Sequence, residues 1–252
     1  MFNAIKYTAF AAIMALSAPA QALELDAMTE AEKDLFGQKV REYLLENPVV
    51  ILEAYRIFEE RQRLAELQQE SIVISENLEE IQNDGFSWED GNPDGDIVLV
   101  EFMDYKCGFC RKAHDELAAL VKSDGNIRLV VKEYPILGQD SLNLSRAAVA
   151  TLQSYGPVAY KKIYNLFIKH EGPVTDESIA FLANKIDLDG DVILAKMKDP
   201  SVDDHIRKTA QLGGKINVRG TPTFVINDQI VRGYVPAEEM KQILAELRTQ
   251  SQ

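Results

Sequence analysis

The sequence predicts an α/β domain with an inserted all-helical block, carried behind an N-terminal helical arm. Three observations carry this reading. Two strand-like runs, 97–103 and 127–134, flank a helical segment and make a strand–helix–strand unit. Four helical segments then intervene before two short strands and a closing helix. Ahead of all of these lies a long helical pattern in which Ile57, Leu64, Ser71 and Leu78 recur every seven residues, with Leu67, Ile74 and Ile81 on the adjacent seam. The 252 residues suffice for one domain with a sizeable core and a smaller attachment. An apolar share of 46% and a charged share of 27% describe a globular chain. The net charge of −13 excludes nucleic acid as the main partner, because phosphate binding needs clustered Lys and Arg.

Residues 1–22 read as a cleaved secretory signal. Lys6 is the only charge before residue 22, an apolar stretch covers 9–16, and Ala18-Pro19-Ala20 and Ala20-Gln21-Ala22 both fit small-x-small cleavage. The apolar stretch is shorter than the roughly 20 residues of a membrane-spanning helix. An uncleaved anchor is the alternative; otherwise the mature chain is exported and soluble.

The arm spans 23–90. Thr29-Glu30-Ala31-Glu32 offers a capping box for a first helix over 23–47. Asn47-Pro48 restarts the chain as an N-cap followed by a first-turn proline, and a second helix runs towards Asn83. Its apolar face must be buried against something, either its own domain or a second copy; heptad and length favour self-association. Ser71-Ile72-Val73-Ile74-Ser75, β-branched and serine-rich, marks a soft point where the arm can bend. Punctuation at Asp84-Gly85 and from Gly91 to Asp96 sets the boundary of the main domain, 91–252.

Within that domain a helix over 111–121 follows the first strand, and Pro135 stops the second strand. The helical insertion covers about 138–213, with segments at about 141–154, 158–170, 176–186 and 191–212 separated by Gly156-Pro157, Gly172-Pro173 and Asp189-Gly190. Strands at 223–227 and 229–234 turn at Asn227-Asp228, and a helix over 236–248 closes the chain.

The two cysteines, Cys107 and Cys110, are the only ones. A bridge between them closes a tiny loop and removes little unfolded-state entropy, so the pair does not staple the fold. It lies between a buried strand and the start of a helix, whose free N–H groups and partial positive charge stabilise a thiolate. Cys107, at the outer end, is the expected nucleophile, and Cys110 the resolving thiol that attacks a mixed disulfide. Gly108-Phe109 between them lacks the histidine of the most oxidising dithiols, so a less extreme activation is expected. Structural zinc would want four ligands, and His114, His170 and His205 are scattered. Arg111 stands where c-type haem attachment needs histidine. His114, one turn beyond Cys110, reads as a surface or packing residue. No cofactor and no metal are expected, although a dithiol can hold Cu(I).

Gly220-Thr221-Pro222-Thr223-Phe224 places an X-Pro bond where a strand begins, a setting for a deliberate cis bond. A cis-Pro beside the dithiol would leave the Thr221 backbone free to pair with an extended substrate. Glu101 and Lys132 lie in strands that read as buried, and a lone buried charge is costly. The two are therefore expected to pair, with Glu101 under the dithiol influencing proton transfer to Cys110; an exposed strand edge is the alternative.

These residues resemble the DsbA-like branch of the thioredoxin superfamily. The run from Glu101 to Cys110 resembles that family's active-site strand and helix start, and the block before Gly220 its helical insertion. The fold implied is thioredoxin-like, over about 96–248. The stretch Val40-Arg41-Glu42-Tyr43-Leu44-Leu45-Glu46-Asn47-Pro48 is similar to the arm of ScsC-like and Com1-like members, some of which trimerise through it and act as disulfide isomerases. Gly108-Phe109 and Thr221 resemble isomerases of the DsbC kind rather than DsbA, which has Pro-His and Val there. The resemblance implies a periplasmic thiol–disulfide oxidoreductase acting on secreted polypeptides, with a membrane redox partner and a homotrimer built on the arm. A monomeric oxidase and a Cu(I)-binding stress protein are the alternatives.

Overall fold

The computed structural model describes residues 28–250; the expected signal at 1–22 and the first residues of the arm lie outside them. The chain falls into two compact units that divide between Gln62 and Arg63.

The first unit holds α1 (Glu30–Glu46) and the first half of α2 (Val49–Glu76). Thr29 caps α1 through the expected box: its hydroxyl accepts from the Glu32 N–H at 3.4 Å, and the Glu32 carboxylate accepts from the Thr29 N–H at 2.8 Å. Helix α1 buries no residue. Leu35, Phe36 and Tyr43 on α1, with Tyr55, Ile57 and Phe58 on α2, all stand exposed. Tertiary burial normally supplies most of a helix's stability, and the single chain leaves this apolar surface uncovered.

The second unit begins with the rest of α2, which runs unbroken through Ser71–Ser75 and stops at Asn77 before α3 (Leu78–Gln82). Then follow β1 (Trp88–Gly91), β2 (Ile97–Met103), α4 (Gly108–Asp124), β3 (Ile127–Glu133), α5 (Gln139–Tyr155), α6 (Pro157–Phe167), α7 (Asp176–Asn184), α8 (Gly190–Lys196), α9 (Pro200–Lys215), β4 (Thr223–Ile226), β5 (Gln229–Arg232) and α10 (Ala237–Gln250). The sheet order is β1-β3-β2-β4-β5, with β2 and β3 parallel and every other pair antiparallel. Gly125 ends α4 in the left-handed conformation, φ 72°, that glycine adopts freely.

Strand alternation divides the core. Ile97, Leu99 and Met103 of β2, with Leu129 and Val131 of β3, join a cluster with α4, α5, α6 and α10. Val100, Phe102, Val130 and Val225 face the other way, onto Ile74, Ile81, Leu212 and Ile216. Ile74 and Ile81, read as seam positions of the arm, thus belong to the core of the second unit.

Two elements depart from the sequence reading. Strand β1 was unexpected because Trp88-Glu89-Asp90-Gly91 has one apolar residue; Trp88 is buried and its indole N–H donates to the Pro157 carbonyl at 3.0 Å. The helix expected over 191–212 is two, because Asp199 caps a new helix with Pro200 in its first turn.

Alternation also corrects the expected Glu101–Lys132 pair. Glu101 lies opposite Val131 in the β2–β3 register, and Lys132 opposite Phe102, so the two side chains leave opposite faces of the sheet. Lys132, fully buried, instead binds the Asp84 carboxylate at 2.5 Å and donates to the Glu80 carbonyl at 3.2 Å. Burial pulls the Lys132 pKa down against the attraction of Asp84. Burial pushes Asp84 up, but the lysine and the Ser87 N–H outweigh it and hold it below the usual range.

Removing one partner of such a pair strands a buried charge at a cost of about 3–5 kcal/mol. Asp84→Ala should lower the urea-unfolding free energy by about that much, and the double variant Asp84→Ala/Lys132→Met should recover most of the loss.

Candidate active site

The start of α4 builds the site. Cys107 is its N-cap, with extended backbone (φ −75°, ψ 117°) and no side-chain capping bond, so the sulfur stands over the free N–H groups of the first turn. Asp104 shapes the preceding turn. Its carbonyl accepts from Cys107 N–H at 3.1 Å. Its carboxylate accepts from the N–H groups of Lys106, Ile136 and Leu137 at 2.8, 2.8 and 3.0 Å. The Thr221–Pro222 bond is cis, and the Cys107 sulfur lies 3.0 Å from the Thr221 carbonyl oxygen, to which it donates when protonated. On the other side of the proline, its carbonyl accepts from Gly233 N–H at 2.9 Å.

Both cysteines carry free thiols. Their environments differ sharply. The Cys110 thiol donating to Cys107, opposed by burial and helped by the Thr221 side chain and the N–H groups of Cys110 and Phe109, draws Cys107 down to about 5. Cys110 is pushed far above the thiol range by that same hydrogen bond, by burial and by the charge of Glu101. One thiol is therefore ionised at neutral pH and the other is held protonated beneath it.

Under the pair lies Glu101, 1% exposed, which accepts a long 3.4 Å bond from the Tyr164 hydroxyl. Burial raises it to about 8, with the Cys107 and Glu133 charges adding to the effect. Glu133, on the same sheet face, accepts from Tyr105 (2.7 Å), Tyr160 (2.5 Å) and Ser145 (2.6 Å). It thereby ties the turn before Cys107 to α5 and α6. Burial, against those three donors, raises Glu133 to about 7.

The structure thus brings Cys107, Cys110, Glu101, Thr221 and Pro222 together and leaves Lys132 on the opposite face. Gly108 has open space where a Cβ would stand, and Phe109 is 62% exposed, its ring stacked on Tyr234 at 6.4 Å. His114 is buried against Tyr164, and His205 is buried edge-on to Phe86. His170 contacts the Pro173 carbonyl at 3.1 Å. Sequence reasoning missed Tyr164, Glu133 and Asp84. Glu133 was open to discovery, since it keeps the inward alternation of Leu129 and Val131; Asp84 hides in a turn signal. Among the described residues no three His, Cys, Asp or Glu side chains converge as metal ligands, so the two thiols are the candidate donors for a soft ion.

A dithiol at a helix start, facing a cis-proline across a mixed sheet, defines a thioredoxin-like redox protein. The chain belongs to the family of DSBA-like thioredoxin domains, whose model matches residues 98–245. The model of the copper resistance protein ScsC N-terminal domain matches residues 32–65. A thioredoxin-like oxidoreductase from Silicibacter pomeroyi is 33% identical, with 68% of this chain and 97% of that one covered at a TM-score of 0.63. The thiol-disulfide exchange protein alpha-DsbA2 of Wolbachia pipientis is 26% identical, with 73% and 98% covered and a TM-score of 0.67. Proteus mirabilis ScsC in a transitional conformation shares the fold at 24% identity and a TM-score of 0.63, covering 88% and 97%. Among curated relatives, the Na(+)/H(+) antiporter NhaA 1 of Salinispora arenicola is 25% identical over 138 residues, and the match spans 54% of this chain but only 21% of the antiporter.

The raised Glu101 makes a signed prediction. A buried acid whose folded pKa exceeds its unfolded value loses stability as pH rises from about 4.5 towards about 8. Glu101→Gln should therefore raise the melting temperature at pH 8 and change it little at pH 4.5. The absorbance of the Cys107 thiolate in the reduced protein should titrate near pH 5, and Cys107→Ser should abolish that step.

Proposed function

We propose that this protein is a periplasmic thiol–disulfide oxidoreductase that reduces and isomerises disulfides of secreted polypeptides. The observation that carries the reading is the placement of the dithiol: Cys107 caps α4 beside Thr221 and the cis-proline, and Cys110, 1% exposed, lies behind it, an arrangement that draws the first thiol down to about 5 and pushes the second up. Cys107 attacks a substrate disulfide, forms a mixed disulfide and releases one substrate thiolate. Cys110 then attacks Cys107 and expels the second, or the substrate's own thiol does so and shuffles the bridge. Thr221 and Pro222 offer backbone for pairing with the extended substrate, and Glu101 takes part in proton transfer at Cys110. Lys132 acts on the site only through the sheet that it helps to stabilise.

A Cys107 value of about 5 lies between those of thioredoxin, about 7, and DsbA, about 3.5. That middle position suits a protein that must both attack and leave. Gly108-Phe109 and Thr221 before Pro222 support the isomerase direction, and so does the arm. Its exposed Leu35, Phe36, Tyr43, Ile57 and Phe58, with the ScsC-type N-terminal match, support self-association as a homotrimer. Residues 1–22 direct export, and a membrane redox partner keeps the dithiol reduced.

A second reading, a monomeric disulfide oxidase, draws on the same low Cys107 pKa, because a stabilised thiolate makes a dithiol more oxidising. A third, Cu(I) binding at the two thiols, draws on the copper-resistance family matched by the arm. Light scattering at micromolar concentration should give three times the chain mass, and alkylation trapping in cells should find the dithiol mostly reduced. A monomer with an oxidised dithiol would establish the oxidase instead. Undetectable exchange together with Cu(I) binding lost in Cys107→Ser would establish the copper reading.

A further inference from the structure

The charges that face Glu101 change during the reaction. In the reduced protein it meets Tyr164 from α6, Cys107 and Cys110 from the start of α4, and Glu133 from β3. Once Cys107 is bonded to a substrate sulfur, it carries no charge. Cys110 is still a neutral thiol, and Tyr164 a neutral phenol. Of these four groups only Glu133 can then carry a charge, and this is the moment at which Cys110 must give up its proton. The step balances within the site. Cys110 passes its S–H proton to ionised Glu101 as the Cys107–Cys110 bond forms, the bond from Cys107 to the substrate sulfur breaks, and the substrate leaves as a thiolate. When the redox partner reduces the dithiol again, Cys110 departs as a thiolate and takes the proton back.

Glu133 is placed to act on Glu101 as a charge. In the parallel register Glu101 stands opposite Val131 and Glu133 opposite Met103, so both side chains leave the same face of adjacent strands. The two positions are diagonal neighbours, roughly 8 Å apart by strand spacing and residue rise. Both residues are buried, so water does little to screen one from the other. The Glu133 carboxylate accepts from three hydroxyls: Tyr105 in the turn before α4, Tyr160 from α6 and Ser145 from α5. Asp104 adds a like charge nearby. None of these groups is a cation, and Lys132, the adjacent residue, leaves the other face. A buried carboxylate without a cation is costly, and anchoring two tyrosines needs an acceptor, not a charge. Glu101 has one long hydroxyl contact, of 3.4 Å, so Glu133 with three shorter ones is the better-stabilised anion. It ionises first, and its charge then opposes ionisation of Glu101.

On the oxidoreductase reading above, we infer that Glu133 is a positioning residue for the resolving step, its charge fixing the pH at which Glu101 accepts the Cys110 proton after Cys107 has lost its own charge. The order of the two acids agrees with this: burial raises Glu133 to about 7 and Glu101 to about 8, and interacting acids titrate as a pair. Without the Glu133 charge, Glu101 ionises at lower pH and is a weaker base. A unit charge roughly 8 Å away, at an effective dielectric constant of about 20, moves a carboxylate by roughly one to two pH units.

The test uses the full chain with carbon-13 glutamate carboxyls, the Glu101 signal being assigned by its loss in Glu101→Gln. In the oxidised protein both sulfurs are neutral, as Cys107 is in the mixed disulfide, so the Glu133 charge acts there without it. Glu133→Gln keeps the shape and removes the charge. It should lower the Glu101 titration midpoint by roughly one to two pH units. In stopped-flow oxidation of the reduced protein by a peptide bearing one disulfide, the pH midpoint of the resolving phase should fall with it. The variant should therefore resolve several-fold faster than wild type at about pH 6 and more slowly at about pH 9, with the Cys107 thiolate still titrating near pH 5. Ser145→Ala keeps the carboxylate but removes one donor, so Glu133 ionises later and the Glu101 midpoint should move the same way by less; this variant decides the matter if Glu133→Gln does not fold. An unmoved Glu101 midpoint, or a resolving phase slowed equally at every pH, would overturn the inference and leave Glu133 an anchor. Absence of exchange by the wild type would overturn the oxidoreductase reading and the inference with it; a wild type that exchanges while the variants keep its Glu101 midpoint overturns the inference alone.

Discussion

The opposed influence of the two cysteine sulfurs on each other's proton governs this site. It stabilises a negative charge on Cys107 and withholds a proton on Cys110 in one contact. Other features supply its setting. The N-terminus of α4 presents N–H groups to the outer sulfur, Asp104 shapes the turn that delivers it, and the Thr221 side chain adds to the stabilisation of its charge. Once a substrate sulfur is attached, the Cys110 thiol has lost its acceptor and becomes acidic enough to act. The two half-reactions are thus ordered by the same interaction.

Beneath the dithiol, the sheet sorts charges by face. The two buried carboxylates of the strands, Glu101 and Glu133, point to the side of α4 and the insertion, where tyrosine hydroxyls meet them. The one buried cation, among the described residues, points to the other side and is neutralised by Asp84. Had Lys132 lain beside Glu101, the carboxylate would have been held ionised and its value of about 8 would be unattainable. The separation keeps an acid of near-neutral affinity under a thiol that needs a proton acceptor.

Much of this was legible in the residues themselves. Val98, Val100 and Phe102 announced β2 by their apolar run, and the glycine and proline pairs marked the ends of the insertion's helices. Cys107 and Cys110 stood out because no other cysteine competes with them, and Pro222 because strand, strand and helix follow it. The Glu101–Lys132 pairing was out of reach because it depends on register: one residue of offset between parallel strands sends a side chain to the other face. Tyr164 meets Glu101 across 63 residues of sequence and Glu133 meets Tyr160 across 27, contacts between sheet and helix that no local pattern encodes. Strand β1 carries a single apolar side chain, and only its pairing with β3 makes it a strand.

The dipeptide between the cysteines stands apart from all this packing. A Cβ on Gly108 would touch nothing within 4 Å, and Phe109 spends most of its surface on solvent with one stacking partner, Tyr234. Neither residue holds the core together. The two positions between the thiols are therefore a dial that turns separately from the frame it is mounted on, so that the electron affinity of the protein and its persistence as a folded object can drift apart under selection.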